Sequence, residues 1–254
     1  MKLFFLIIII FIYSFSLSSR EAGQTEITTE EGIEVFQDEK YYLLKKNVKI
    51  ISDNFTLFGD KVKIFFNNDL YDIKKIDAFK NVSLDSIEYK LKARGERLIF
   101  VIESEEIYIE GLNSQLNTND AKMFSDGEIK VNNTKESFFI NGKNSKVEMQ
   151  NIYIEGEHIE GVFESNNEEK DISLLNVKDK DISFIKNDDT EMYAKVIKYN
   201  KKNSLIELEN NVKIIRNGEI ITGDYGTLDT KNNSYKVRSN DSNKVKVIIS
   251  NQDE

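Results

Sequence analysis

Apolar and polar residues alternate with a period of two along most of this chain, from about Ile33 to Ser250. Val48-Lys49-Ile50, Ile107-Tyr108-Ile109, Ile152-Tyr153-Ile154 and Val245-Lys246-Val247 are examples. Such alternation sends successive side chains to opposite faces of a half-buried strand. Asn-Asn, Asp-Asn, Asn-Gly, Asn-Asp and Asp-Gly pairs punctuate it about every ten to fifteen residues. These pairs favour the positive φ angles of tight hairpin turns. No stretch of a dozen residues carries a helical stripe. The pattern predicts an all-β chain.

Two repeats refine this expectation. Asn47-Val48-Lys49-Ile50-Ile51 recurs as Asn211-Val212-Lys213-Ile214-Ile215, and in the same register Gly59-Asp60 falls on Gly223-Asp224 and Tyr71 on Tyr235. Ile107-Tyr108-Ile109-Glu110-Gly111 recurs as Ile152-Tyr153-Ile154-Glu155-Gly156. Recurring strand-turn-strand units predict stacked hairpins, in a solenoid or an elongated jelly roll. Within the first repeat the apolar parity changes, from Phe55 and Leu57 to Val62 and Ile64, and its counterpart shifts likewise from Ile221 to Leu228. One face stays buried across such a shift only if an extra residue is absorbed, as in a β-bulge. A bulge or sharp bend is therefore predicted at Gly59-Asp60 and at Gly223-Asp224, with Gly supplying the unusual dihedrals.

Composition narrows the function. The chain has 254 residues, 16 Phe and 11 Tyr, too rich in aromatic and β-branched residues for disorder. It is long enough for one elongated domain or two short ones. There is no Cys, which excludes thiolate metal sites and Cys nucleophiles. Lys2 precedes an unbroken apolar run from Leu3 to Tyr13, and Ser16 and Ser18 suit cleavage before Ser19. Residues 1–18 are read as a signal peptide or, if uncleaved, an N-terminal anchor, although the run is short of the roughly 20 apolar residues that span a bilayer. Either way the remainder is exported. The net charge is −9, with no basic cluster, which argues against nucleic acid and against adsorption to anionic membranes. An amphiphilic ligand must then be held by its apolar part.

The residues resemble a known family at this point. Asn-Val-x-Ile, an apolar pair, Gly-Asp, an apolar-x-apolar strand and an Asn-rich turn resemble the OstA-like repeat of the LptA family. The C-terminal stretch matches best: Leu208 to Asn211, Val212-Lys213-Ile214, Ile221-Thr222-Gly223-Asp224, Leu228-Asp229 and Lys244 to Ile249. Ile76-Asp77-Ala78-Phe79-Lys80-Asn81-Val82 is similar to the family's Ile-x-Ala-x-Gly-Asn-Val turn, with Lys80 where Gly is usual. The resemblance covers about 33–85 and 185–250, and 86–184 is looser. It implies an open, V-shaped β-jelly roll over 33–250, made of N-terminal repeats (33–85), extended middle repeats (86–184) and C-terminal repeats (185–250). A linker at 19–32 precedes it and a tail at 251–254 follows.

The family's members carry lipopolysaccharide through the periplasm, its lipid A acyl chains in an apolar groove. They join LptC and LptD components by edge-strand addition and associate head to tail. The same function is the expectation here, with no cofactor and no enzymatic activity. Candidate groove residues are Val48, Ile50, Phe55, Leu57, Val62, Ile64, Ile109, Ile154, Val212, Ile214, Ile221 and Leu228, each of which also reads as plain core. Two alternatives stay open: an LptC-like component anchored by residues 3–17, and a secreted β-solenoid or adhesin without lipid.

Other chemistry finds little support. His158, the only histidine, lies between Glu157 and Glu160 but has no second His or Cys to complete a zinc site. No Gly-x-Ser-x-Gly elbow is present to supply a serine nucleophile. Glu103-Ser104-Glu105-Glu106 and Asp179-Lys180-Asp181 lack calcium-loop spacing and read as solvated strand faces. No phosphate-binding glycine loop occurs.

Overall fold

A computed structural model of the chain describes residues 21–68, 72–149, 152–166, 169–240 and 243–249. The leader read at 1–18 and the tail at 251–254 lie outside these residues. Twenty antiparallel strands, joined in one continuous ladder, make up the described chain. They are β1 (Glu26–Thr28), β2 (Ile33–Phe36), β3 (Tyr41–Ile51), β4 (Phe55–Phe66), β5 (Ile73–Ser86), β6 (Leu91–Val101) and β7 (Glu106–Glu110). The middle holds β8 (Ser114–Thr118), β9 (Lys122–Ser125), β10 (Glu128–Asn132), β11 (Ser137–Asn141), β12 (Lys146–Met149), β13 (Ile152–Glu155) and β14 (His158–Asn166). The long strands then return as β15 (Glu169–Asn187), β16 (Thr190–Asn200), β17 (Leu205–Arg216) and β18 (Glu219–Asp229), before β19 (Ser234–Arg238) and β20 (Lys246–Ile249).

The pairings resolve into two layers folded along one spine. The first layer runs from β1 through the C-terminal half of β3, the N-terminal half of β4, the C-terminal half of β5 and the N-terminal half of β6. It continues through β8, β9, β12 and β13, then through halves of β15 to β18, and ends on β20. The second layer starts on β2, takes the other halves of the same long strands, crosses the middle through β7, β10, β11 and β14, and ends on β19. Every pairing runs within a layer. The middle stretch, with its short strands, is thus a continuation of the same ladder, its corners made by turns instead of bulges. The fold is an all-β stack of bent hairpins.

The spine has a recurring local cause. Lys45 pairs with Lys61 and Val48 with Gly59, so Lys46 and Asn47 together face Asp60. Glu209 pairs with Tyr225 and Val212 with Gly223, so Asn210 and Asn211 face Asp224. Between them Lys80 and Asn81 face Glu96. In all three pairs both residues have positive φ: 64° and 50°, 65° and 59°, 58° and 52°. Two residues against one is a bulge, and it bends the strand.

The left-handed residues are therefore the pair before each Val of the Asn-Val step, and neither Gly59 nor Gly223 has positive φ. The expectation that Gly supplies unusual dihedrals is corrected. Gly223 matters for space: a Cβ there would lie 2.5 Å from Val237 Cγ1 and 2.7 Å from the Arg238 carbonyl oxygen. At Gly59 the nearest atoms are 3.6 Å away, ordinary contact. A second correction concerns 19–32, read as a linker: β1 lies inside it, pairing Glu26 with Ile51.

The second repeat also has one local structure used twice. Ile107-Tyr108-Ile109-Glu110 lies in β7, in the second layer, and Ile152-Tyr153-Ile154-Glu155 makes up β13, in the first. Each Tyr hydroxyl donates to the Glu two residues on, outside the layer. Gly111 and Gly156 then turn the chain at the spine.

Candidate functional site

The candidate site is the interior between the layers. Along each strand the inward side chains fall in levels from spine to far edge. At the spine the first layer presents only small groups: Val48, Gly59, Val82, Gly95, Ser114, Ser125, Ser145, Ser183, Ala194, Val212 and Gly223. The layers converge there, and a larger side chain has no room. The four serines are buried, and each is satisfied locally: Ser114 Oγ donates to the Gly111 carbonyl at 2.8 Å, Ser145 Oγ to Gly142 at 2.8 Å, Ser125 Oγ to Asn141 at 3.1 Å and Ser183 Oγ to Lys195 at 3.4 Å.

Larger aliphatic groups fill the middle level, among them Ile50, Leu57, Ile64, Leu116, Met123, Ile154, Ile185 and Ile214. At the far edge, where both layers end in hairpin turns, the side chains are mostly large. Tyr42 and Phe66 meet there with ring centroids 5.4 Å apart, Tyr89 and Phe100 at 5.6 Å, and Phe138 and Phe163 at 4.8 Å. This row of rings is the mouth of the wedge. Burial raises the Tyr89 and Tyr199 hydroxyls at the rim above their ordinary pKa.

The nominated groove residues all point inward, but they do not line an exposed trough. Val48, Ile50, Leu57, Val62, Ile64, Ile109, Ile154, Val212, Ile214 and Leu228 are at most 2% exposed and belong to one apolar cluster. Ile221 is buried as well, and Phe55 at the mouth is half-buried against that cluster. The open groove expected from the sequence is closed by the two layers meeting. Tyr42, Tyr89, Phe100, Phe138 and Phe163, which sequence reasoning did not nominate, hold the exit. Period-two parity would have found Phe100 and Phe138, whereas Tyr89 stands in a turn and carries no such signal.

The interior carries no charge among the described residues. Among those residues the one buried ionisable side chain is Asp77, and it faces outward. There Arg97 grips it with Nε and Nη2 at 2.9 and 3.0 Å, reaches Glu110 with Nη1 at 3.1 Å and stacks over the Phe79 ring at 4.9 Å. Asp77 foremost, and then Glu110, raise the Arg97 pKa. His158 is exposed on β14, opposite Asn141 and Lys178. Among the described residues no cluster of His, Cys, Asp and Glu is arranged to hold a metal ion.

No known family's sequence profile matches the chain, and no curated protein matches it. Among solved structures it is similar to LptH of Pseudomonas aeruginosa, the LptA homologous periplasmic component of the conserved lipopolysaccharide transport device. That match has 8% identity and a TM-score of 0.23, over 89% of this chain and 95% of the other.

What the arrangement can do follows from its own forces. The layers are held together covalently at the spine and elsewhere by apolar contact, which is non-directional. Hydrocarbon entering at the mouth replaces side-chain contact with contact of the same kind. The two ends of the ladder leave strand edges without a partner in the described chain, β1 and β2 at one end and β19 and β20 at the other. Val247, Ile248 and Ile249 on β20 are exposed.

Proposed function

We propose that the protein is a non-enzymatic, periplasmic lipid carrier of the LptA kind, sheltering the acyl chains of lipopolysaccharide between its layers on the way to the outer membrane. One observation carries this reading: a wedge-shaped interior, uncharged among the described residues, runs the length of the ladder, sealed at its mouth by side chains alone. Burying a methylene is worth about 0.8 kcal/mol, so an acyl chain of about a dozen carbons gains up to about 10 kcal/mol. Repulsion between lipid phosphates and the acidic protein is screened beyond about 8 Å in physiological salt. The sugar-phosphate head stays in water outside the mouth. The free strand edges suit strand addition to LptC-like and LptD-like components, or head-to-tail to a second copy.

Site-specific photo-crosslinking tests the reading. A benzophenone amino acid replaces Phe55 or Tyr42, which face the interior at the mouth, or Phe58 or Phe65, which face outward. Lipopolysaccharide is expected to crosslink at the first two positions and not at the second two. Equal labelling of both pairs, or silence at Phe55 and Tyr42, would end the proposal and leave a secreted structural β-solenoid.

A further inference from the structure

The outer face of the second layer holds a depression of about 640 Å³ that the interior reading does not use. It spans β11, β14, β15, β16 and β17, where β14 and β15 slip register between Val162 and Phe163. Phe139, Val162, Leu174 and Leu205 give it an apolar floor, and Leu174 is 46% exposed, open to solvent on a strand face. Small-molecule sites have this size and this mixture of apolar wall and few polar groups.

Its polar groups are specific about charge. Asn176 Nδ2 donates to Glu160 Oε1 at 2.5 Å, which turns Asn176 Oδ1 away as an acceptor; that oxygen is buried and has no hydrogen-bond partner. Glu207 accepts from the Tyr225 hydroxyl at 3.0 Å, and the cation on the rim, Lys198, is held by Glu209 at 2.6 Å. The depression is thus apolar below, with the Glu160 and Glu207 carboxylates beside the neutral Ser137, Asn200 and Asn203 side chains at its edge, and without an uncommitted cation. Such a site repels anions and favours a neutral body carrying O–H or N–H donors, because a buried acceptor left unpaired is destabilising until a donor reaches it.

We propose that this outer depression binds a neutral, hydroxyl-bearing amphiphile of the alkyl glycoside class, with its alkyl part on Leu174, Val162 and Leu205 and a hydroxyl donating to Asn176 Oδ1. The site is distinct from the interior and does not depend on lipid entering there.

Methyl NMR of the whole chain tests this, with n-octyl glucoside below its micelle concentration as the probe and octanoate as its anionic counterpart. Saturable shifts are expected at the Val162, Leu174 and Leu205 methyls, with octanoate weaker. Asn176→Leu is expected to weaken the glycoside about fivefold, the loss of one hydrogen bond. Leu174→Glu, at an exposed position, is expected to abolish binding while the spectrum stays folded. Shifts confined to the interior methyls of Ile64 and Ile154 would overturn the outer site and leave the carrier reading standing. Shifts at the outer methyls with a silent interior would support the outer site, and the carrier reading would still stand or fall on the crosslinking at Phe55 and Tyr42. Equal response to octanoate, or an unchanged affinity in Asn176→Leu, also overturns the assignment.

Discussion

Tyr89 and Phe100 meet edge to face with ring centroids 5.6 Å apart, although they belong to opposite sides of the wedge. Tyr89 stands in the turn between β5 and β6 at the rim of the first layer, and Phe100 lies on the part of β6 that belongs to the second. The pair therefore clasps the mouth. Aromatic pairs are worth about 0.5–1.5 kcal/mol beyond their buried area. Tyr89→Ala is expected to lower stability by at least that much in urea unfolding and to speed uptake of a fluorescent fatty-acyl probe. A folded variant that loads at the native rate would show that lipid does not enter here.

Gly223 and Gly59 hold equivalent places in the repeat and differ in room. A methyl at Gly223 meets Val237 and the Arg238 carbonyl well inside contact distance, whereas at Gly59 it meets only ordinary neighbours. Overpacking of this kind typically destabilises by about 1–3 kcal/mol. Gly223→Ala is expected to show that loss and Gly59→Ala a change within about 0.5 kcal/mol, both read from urea midpoints. Similar midpoints for the two variants would contradict the account of the spine.

Lys80 occupies the position where the resembling family carries Gly, and its φ of 58° gives the reason for that Gly. A side chain in the left-handed region is strained by roughly 1–2 kcal/mol, partly offset because Gly adds freedom to the unfolded chain. Lys80→Gly is expected to raise stability by about 0.5 kcal/mol. Asn81→Gly is expected to gain less, because Asn tolerates this conformation and Asn81 Nδ2 also donates to Asp60 Oδ2 at 3.1 Å. A loss of stability in Lys80→Gly would mean that the side chain does more than tolerate the bend.

Much of this fold was legible in the sequence because alternation and parity are local signals. Leu57 and Val62 are both buried, on opposite sides of a parity change that could be counted along the chain. The same counting placed the bend within a residue or two of its site. It missed the conformational cause, because Gly draws attention wherever φ could be positive, while Lys46-Asn47 and Asn210-Asn211 carry the left-handed turn on the facing strand. The interior residues were legible as inward-facing, but their state was not. Alternation says which side Ile154 or Ile214 faces and nothing about how near the opposite layer stands. Tyr89 lay beyond reach for the same reason: its partner is set by how two hairpins close over one another.

The corners of the ladder also carry an acid sensitivity. Asp126 accepts from Asn144 Nδ2 at 2.6 Å and from the Asn113 backbone N–H at 3.1 Å, tying three successive corners of the spine. The Asn144 side chain first, and the Asn113 amide second, hold its carboxyl below the ordinary range. Asp229 is lowered similarly by the backbone and side chain of Asn232 and the Lys231 amide. A carboxylate whose pKa is depressed on folding binds fewer protons in the folded chain than in the unfolded one. Its stabilisation is present above the unfolded value, about 3.9 for Asp, and fades as pH falls below it. Urea midpoints are therefore expected to hold between pH 7 and pH 5 and to drop below about pH 4. Asp126→Asn removes the anion, so the variant is expected to be less stable at pH 7 and to show a shallower acid slope. The native slope persisting in Asp126→Asn would place the acid sensitivity elsewhere on the ladder.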